Sequence, residues 1–281
     1  MTDITAAASR ADSFRAWHRP GEPLLLPNPW DAGSARVLAS LGFAALATTS
    51  SGFAATLGRL DGGVSRDESL AHGALIVAAT ELPVSADLEN GFADEPAGVA
   101  DTVARAVQAG LAGCSIEDFT GRPDAPIYDA GLAAERIAAA AQAAHSGPVR
   151  LVLTARAENY LHGRPDLGDT IARLQRYQEA GADVLYAPGL TRPEDIAAVV
   201  SSVDRPVNVL ALPGGPDVAG LAELGVSRVS VGGAFAYVAI DALATAAREL
   251  LKGGPLGYWP RMAAGRAVAA EAFRPGDSAG A

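Results

Sequence analysis

A single cysteine, Cys114, among 281 residues leaves no partner for an intrachain disulfide. Its neighbours Ala112, Gly113, Ser115 and Ile116 read as a buried strand, so the thiol is expected to pack rather than react. Lysine is equally scarce. Lys252 is the only one, in Leu250-Leu251-Lys252-Gly253-Gly254, where a cation complements the carbonyl end of a helix. A lysine Schiff base at a catalytic mouth is thereby excluded. The four histidines, His18, His72, His145 and His162, have no spacing that suggests a zinc site. No apolar run approaches the roughly 20 residues that span a bilayer, and residues 1–20 mix charges instead of building a signal-peptide core. A cytoplasmic protein with no membrane partner is expected. Basic runs are also missing, and a net charge of −10 would repel nucleic acid.

What the chain does contain is small apolar residues in a repeating phrase. The hydrophobic fraction of 49% is chiefly Ala, Val and Leu, which suits helices closed onto a buried parallel sheet. A helical stretch, a glycine, a short apolar run and a polar break recur, with Gly42, Gly110, Gly181 and Gly225 as the helix stops. Strands are predicted near 23–27, 44–48, 83–87, 113–117, 149–155, 183–187, 206–210 and 228–231. Helices are predicted at 31–41, 66–79, 96–109, 131–144, 168–180, 192–202, 216–224 and 234–252. Eight such pairs predict an α/β fold, a (β/α)8 TIM barrel over residues 1–254. An open doubly wound sheet is the competitor, but no Gly-rich dinucleotide fingerprint follows the first strand. Residues 255–281 break the repeat at Tyr258-Trp259-Pro260 and form a C-terminal extension, with a helix from Met262 to Phe273 and a frayed tail from Arg274 to Ala281. That apolar helix is expected to cover the barrel or a neighbouring subunit.

Catalytic groups in such barrels stand after the strands, so the rim can be read off directly. It carries Asn28, Trp30 and Asp31 after strand 1, and Thr48-Thr49-Ser50-Ser51-Gly52-Phe53 after strand 2. Asp87, Glu89 and Asn90 follow strand 3, Glu117 and Asp118 strand 4, and Arg156, Glu158 and Asn159 strand 5. Strand 6 ends at Pro188-Gly189, strand 7 near Asn208 and strand 8 at Gly232-Gly233. Neighbouring strands would set the two acidic clusters about 5 Å apart. Acids so close, with one arginine among them, call for a cation, and Asp87, Glu89 and Glu117 become candidate ligands for Mg²⁺, with Mn²⁺ as a substitute. Arg156 is then left to grip a carboxylate in a forked contact. Asp94-Glu95-Pro96 and Asp129 read as helix caps. Gly232-Gly233 is either a phosphate cradle or a plain strand-to-helix turn.

In order and spacing, the rim resembles the isocitrate lyase and phosphoenolpyruvate mutase superfamily across about residues 14–252. The resemblance rests on Asn28-Pro29-Trp30-Asp31 with Gly33-Ser34-Ala35, on Thr49-Ser50-Ser51-Gly52-Phe53, and on Ala86-Asp87-Leu88-Glu89-Asn90-Gly91-Phe92. It continues through Ser115-Ile116-Glu117-Asp118 and Ala155-Arg156-Ala157-Glu158 to the Gly181-Ala182-Asp183 join. The resemblance implies Mg²⁺-dependent cleavage or formation of a C–C or C–P bond beside an enolate carbon. It implies Asp87 as the main metal carboxylate, with Glu89 and Glu117 holding metal waters. Ser51, Gly52 and Phe53 match the loop that binds the oxo acid, Arg156 the arginine that anchors substrate, and Trp30, Asp31 and Asn208 complete the expected substrate contacts. It also implies a homo-oligomer, a dimer or tetramer, often with exchange of the C-terminal helix.

The departures narrow the chemistry. Isocitrate and methylisocitrate lyases of this superfamily carry a Cys-containing segment in the loop after strand 4. Here that loop reads Asp118-Phe119-Thr120-Gly121-Arg122-Pro123-Asp124-Ala125-Pro126-Ile127-Tyr128-Asp129, without Cys, Lys or His. Mutases place a loop lysine that is missing, and the position after strand 6 where they carry His is Pro188. The expectation is an Mg-dependent lyase or decarboxylase that takes a small 2-oxo or 2-hydroxy dicarboxylate through an enolate. Oxaloacetate or a substituted malate fits, with Arg156 and Glu117 in catalysis. Tyr128, Arg122 or Tyr186 is the proton donor, with a residue of the strand-4 loop favoured. A phosphonomutase-like C–P enzyme and a non-catalytic carboxylate-binding barrel are the alternatives.

Overall fold

The structure, a computed structural model, describes residues 4–274. Its eight strands are β1 (Leu24–Leu26), β2 (Leu46–Ala47), β3 (Val84–Asp87), β4 (Gly113–Glu117), β5 (Val152–Arg156), β6 (Val184–Tyr186), β7 (Val207–Leu210) and β8 (Arg228–Ser230). All pair parallel in one sheet, in the order β1-β8-β7-β6-β5-β4-β3-β2. The two end strands meet where the Ala47 amide donates to the Pro27 carbonyl at 3.1 Å. Asn28 stitches the same seam: its Nδ2 donates to the Thr48 carbonyl at 2.9 Å, and its Oδ1 accepts from the Val231 and Gly232 amides at 3.0 and 2.9 Å. The result is the predicted (β/α)8 barrel.

Helices α2 (Ala32–Ser40), α4 (Arg66–Ala79), α5 (Pro96–Gln108), α6 (Ala130–His145), α7 (Leu167–Glu179), α8 (Pro193–Ser201), α9 (Val218–Glu223) and α10 (Ala234–Leu251) surround the strands, as the repeat predicts. Local chemistry sets their starts. Asp31 with Ser34, and Ser65 with Glu68, form reciprocal capping boxes, while Asp129, Asp166 and Asp217 accept from first-turn amides. The four predicted stops Gly42, Gly110, Gly181 and Gly225 all take φ between 81° and 104°, a backbone state that costs glycine little.

Two helices lie outside the predicted set. α1 (Ile4–Ala16) buries only Ala7, Ala11 and Phe14, too thin a stripe in a charged segment to stand out in sequence. Phe14 packs so closely beneath the barrel that a Cβ on Gly113 would meet its ring at 2.7 Å, so α1 closes the N-terminal mouth. The serine-rich stretch after β2, expected as loop, forms α3 (Ser50–Thr56), capped by Thr49. α11 (Trp259–Ala272) packs on α2, with Phe273 set beside Gly33. None of its residues is buried, and α10 buries Ala236 alone. The tail predicted to fray from Arg274 lies, apart from that residue, outside the described residues.

Candidate active site

At the C-terminal rim the register lines up Asp87 with Ser115, Glu117 with Arg156, Arg156 with Tyr186, and Tyr186 with Asn208. Glu117 lies 3.0 Å from Arg156 but outside the lining, while Asp87, Ser115, Arg156, Tyr186 and Asn208 line a cavity of about 130 Å³. That is well below the roughly 300 Å³ at which drug-sized ligand sites begin, so it suits a small molecule. Its lining takes Asp87, Arg156, Tyr186 and Asn208 from strand ends, Thr49, Ser50 and Ser51 from the start of α3, and Pro188 and Gly232 from the rim.

Arg156 is the centre of the charge pattern. Its Nη1 donates to Asp87 Oδ1 at 2.9 Å, its Nη2 lies 3.0 Å from Glu117 Oε2, and its Nε donates to Glu158 Oε1 at 2.9 Å. The guanidinium also sits 5.4 Å from the centroid of the Tyr186 ring. Asp87 is held from both sides: its amide donates to Thr48 Oγ1 at 2.9 Å, and its Oδ2 accepts from the Ser50 amide at 3.2 Å. All three arginine nitrogens that the sequence offered to a substrate carboxylate are bonded to the protein's own acids.

One arginine does not neutralise this many acids. Burial raises the pKa of Glu117 well above the usual carboxylate range, and Glu158, Asp87 and Glu89 add to the shift against the pull of Arg156. Burial, then the charges of Asp87 and Asp61, push Glu89 up to about 7. Glu89 also holds φ 47°, a left-handed state costly for a residue with a side chain, as its carbonyl accepts from the Glu117 amide at 3.0 Å. Asp61, missed in the sequence reading, lines the cavity and is raised by burial, with Asp87 adding to the shift. Its only sequence signal is an aspartate in the Gly-rich turn Leu60-Asp61-Gly62-Gly63.

The donor chemistry of Asp87, Glu89 and Glu117 fits a hard divalent cation: every donor is a carboxylate oxygen, and the site carries excess negative charge. Arg156 lies between Asp87 and Glu117, and no group of three or more acidic, His or Cys side chains among the described residues is gathered on one point.

The neighbour of Glu117 has a different environment. Asp118 is 2% exposed, and its carboxylate accepts from the Glu158 amide at 2.8 Å, from the Tyr177 hydroxyl at 2.6 Å and from Arg173 Nη1 at 3.2 Å. Strand alternation thus sends Glu117 toward Arg156 and Asp118 into the helix layer.

The remaining candidates divide between cavity and support. Ser51 and Asn208 line the cavity; Trp30, Asp31, Gly52 and Phe53 do not. Asp31 caps α2, Phe53 stacks on His72 with centroids 3.9 Å apart, and Trp30 accepts through its carbonyl from that histidine's ring. Trp30 and Gly52 face α10, where a Cβ on Gly52 would come within 3.2 Å of Ala236. Tyr128 and Arg122 are likewise absent from the lining: both bond Asp94, pinning the loop after β4 to the loop after β3. Tyr186 does reach the cavity, and burial pushes its phenol up to about 12, so it remains protonated at neutral pH. At Gly232-Gly233 the Gly232 amide is taken by Asn28, and Gly233 makes room for Ser51 and Tyr237, which is the work of a turn rather than a phosphate cradle.

An eight-stranded barrel with acids at the ends of β3 and β4 and an arginine at the end of β5 has the architecture of a barrel enzyme that works at its strand ends. Residues 14–251 match the sequence profile of the phosphoenolpyruvate phosphomutase family. An uncharacterized protein of Mycobacterium tuberculosis is 37% identical, over 87% of this chain and 91% of its own. The crystal structure of a protein from Burkholderia cenocepacia assigned to the lyases or mutases superposes with a TM-score of 0.92 at 53% identity, covering 96% of this chain and 98% of that one. That of a 2,3-dimethylmalate lyase gives 0.80 at 28% identity, over 92% and 91% of the two chains. The chain belongs to the isocitrate lyase/phosphoenolpyruvate mutase superfamily.

Proposed function

We propose that this protein is a divalent-metal-dependent carbon–carbon lyase for a small 2-oxo or 2-hydroxy dicarboxylate, of the oxaloacetate or substituted-malate type. The observation that carries the reading is the acid-rich rim around Arg156, above a cavity too small for a coenzyme. Similarity to a 2,3-dimethylmalate lyase supports a dicarboxylate with a branched carbon. Asp87, Glu89 and Glu117 would hold Mg²⁺, or Mn²⁺ in its place. The ion supplies a positive charge where the substrate's oxygens gain negative charge.

The chain's own residues do the rest. The Ser50–Ser51 turn and Asn208 border the space for the acid and fix its orientation, which removes rotational freedom before reaction. Arg156 holds Asp87 and Glu117 in place, and its charge favours the enolate side of the reaction. Cleavage leaves the electron pair of the broken C–C bond on the enolate carbon, which must take up a proton. The other fragment departs as CO₂ from a 2-oxo acid or, from a 2-hydroxy acid that gives up its hydroxyl proton to solvent, as a carbonyl compound. Tyr186, lining the cavity and protonated, is the donor proposed here in place of a residue of the loop after β4.

The protein is further proposed to act as a homo-oligomer, because α10 exposes Val238, Leu243 and Leu251, and α11 exposes Trp259. No helix among the described residues is long and apolar enough to cross a membrane. The test is release of pyruvate or glyoxylate from a panel of 2-oxo and 2-hydroxy acids with Mg²⁺ and with EDTA. Turnover that persists in EDTA, or no turnover of any acid, sinks the reading.

A further inference from the structure

Interiors of such barrels are usually filled by Val, Ile and Leu. Here the barrel interior holds Thr154, Asn208, Arg228 and Ser230, joined by hydrogen bonds. Arg228 is 4% exposed and lies at the start of β8, two residues before Ser230, yet lines the same cavity as Asp87 and Arg156.

Its partners are all neutral. Nε donates to Asn208 Oδ1 at 2.9 Å, Nη2 donates to Thr154 Oγ1 at 3.0 Å, and Nη1 lies 3.3 Å from His18 Nε2. Burial, then the charge of Arg228 itself, lowers His18 to about 3, so the imidazole is uncharged at neutral pH. No acid among the described residues comes within ion-pair distance of Arg228. A guanidinium has five N–H groups, and these contacts use three. Buried charge without a counter-ion is costly, and the acids above it are already bonded to Arg156. A polar filler such as Gln would serve the same neutral partners without that cost.

We propose that Arg228 forms a second anion subsite, at the level of Thr154 two residues before Arg156 on β5, which receives the second acid group of the substrate. The inference rests on the dicarboxylate reading above and deepens it. The first acid group and the reacting carbon stay at the rim, and the far carboxylate points down the barrel to the two N–H groups left over. Specificity for two acid groups over one then resides in a residue of β8 that no rim motif contains.

Calorimetric titration in Mg²⁺ buffer with malate and with 2-hydroxybutyrate tests this, since these 2-hydroxy acids differ only in the terminal carboxylate. The wild-type protein is expected to bind malate at least about tenfold more tightly, the size of a charge-assisted hydrogen-bond pair. Arg228→Gln should erase that margin by weakening malate while leaving 2-hydroxybutyrate unchanged, and Arg228→Lys should keep part of it. If Arg228→Gln does not fold, the wild-type margin and the Lys variant decide. Equal wild-type affinities, or equal weakening of both acids by the variant, overturn the inference and leave the lyase reading standing. A full margin with no turnover of any acid sinks the lyase reading alone, whereas binding of neither acid removes both.

Discussion

Adjacent acids at the end of β4 should respond in opposite ways to neutralisation. Asp118→Asn keeps the shape but removes the charge that faces Arg173 at 3.2 Å, and puts an amide where Tyr177 donates at 2.6 Å. The contact with the Glu158 amide can survive through the remaining carbonyl oxygen. Removing one member of a buried pair costs about 3–5 kcal/mol. Asp169 remains on Arg173 at 2.8 Å and compensates in part, so about 2–4 kcal/mol is expected. In a chain of this size that lowers the melting temperature by roughly 3–7 °C. Glu117→Gln is different: burial already disfavours that charge even beside Arg156, so the neutral isostere should cost about 1 kcal/mol or less. Thermal unfolding by circular dichroism, with Mg²⁺ titration by calorimetry, separates the two. Asp118→Asn should lose stability and keep Mg²⁺ affinity; Glu117→Gln should keep stability and lose affinity. The reasoning is refuted if Asp118→Asn melts with the wild type, or if it stays folded and no longer binds Mg²⁺.

Three further perturbations check separate parts of the structure. His18 is lowered to about 3 by burial, so between pH 6.5 and 3 the unfolded chain binds a proton that the fold refuses. Stability therefore falls as pH drops through that window, by of the order of 4 kcal/mol at its end. Urea melts of His18→Gln across the window should show a shallower acid limb, and an unchanged limb contradicts the assignment. Asn28→Ala strips three hydrogen bonds from the seam and leaves the Val231 and Gly232 amides unpaired, at a cost of about 2–4 kcal/mol; a denaturation midpoint within error of wild type would refute the role of Asn28. Tyr186→Phe should lower kcat about 100-fold or more with substrate affinity retained, and Tyr128→Phe should change kcat little. The reverse order in steady-state kinetics would return the proton donor to the loop after β4.

Much of the fold is readable because its signals are local. A capping aspartate, a glycine stop or a proline at the first helical turn acts within a few residues, so Gly42, Gly110, Gly181 and Gly225 marked the helix ends before any contact was known. α1 escaped notice because a helix that plugs a barrel with three small or aromatic contacts carries little periodic signal. α3 escaped because serine and glycine suit loops as well as helix starts, and only the Thr49 cap resolves the choice.

By itself the sequence determined the eightfold repeat, the strand ends that carry Asp87, Glu117 and Arg156, and the excess of acid there. Those depend on chain order and on side-chain type. Only the tertiary structure decided that Glu117 faces Arg156 while Asp118 supports the helix layer, since a period of two separates the faces without saying which is inward. It also decided that Tyr128 and Arg122 serve Asp94, and that Arg228 meets His18 from the other end of the chain. Closing a barrel sets residues from distant strands side by side, and no local pattern encodes which of them will share its axis.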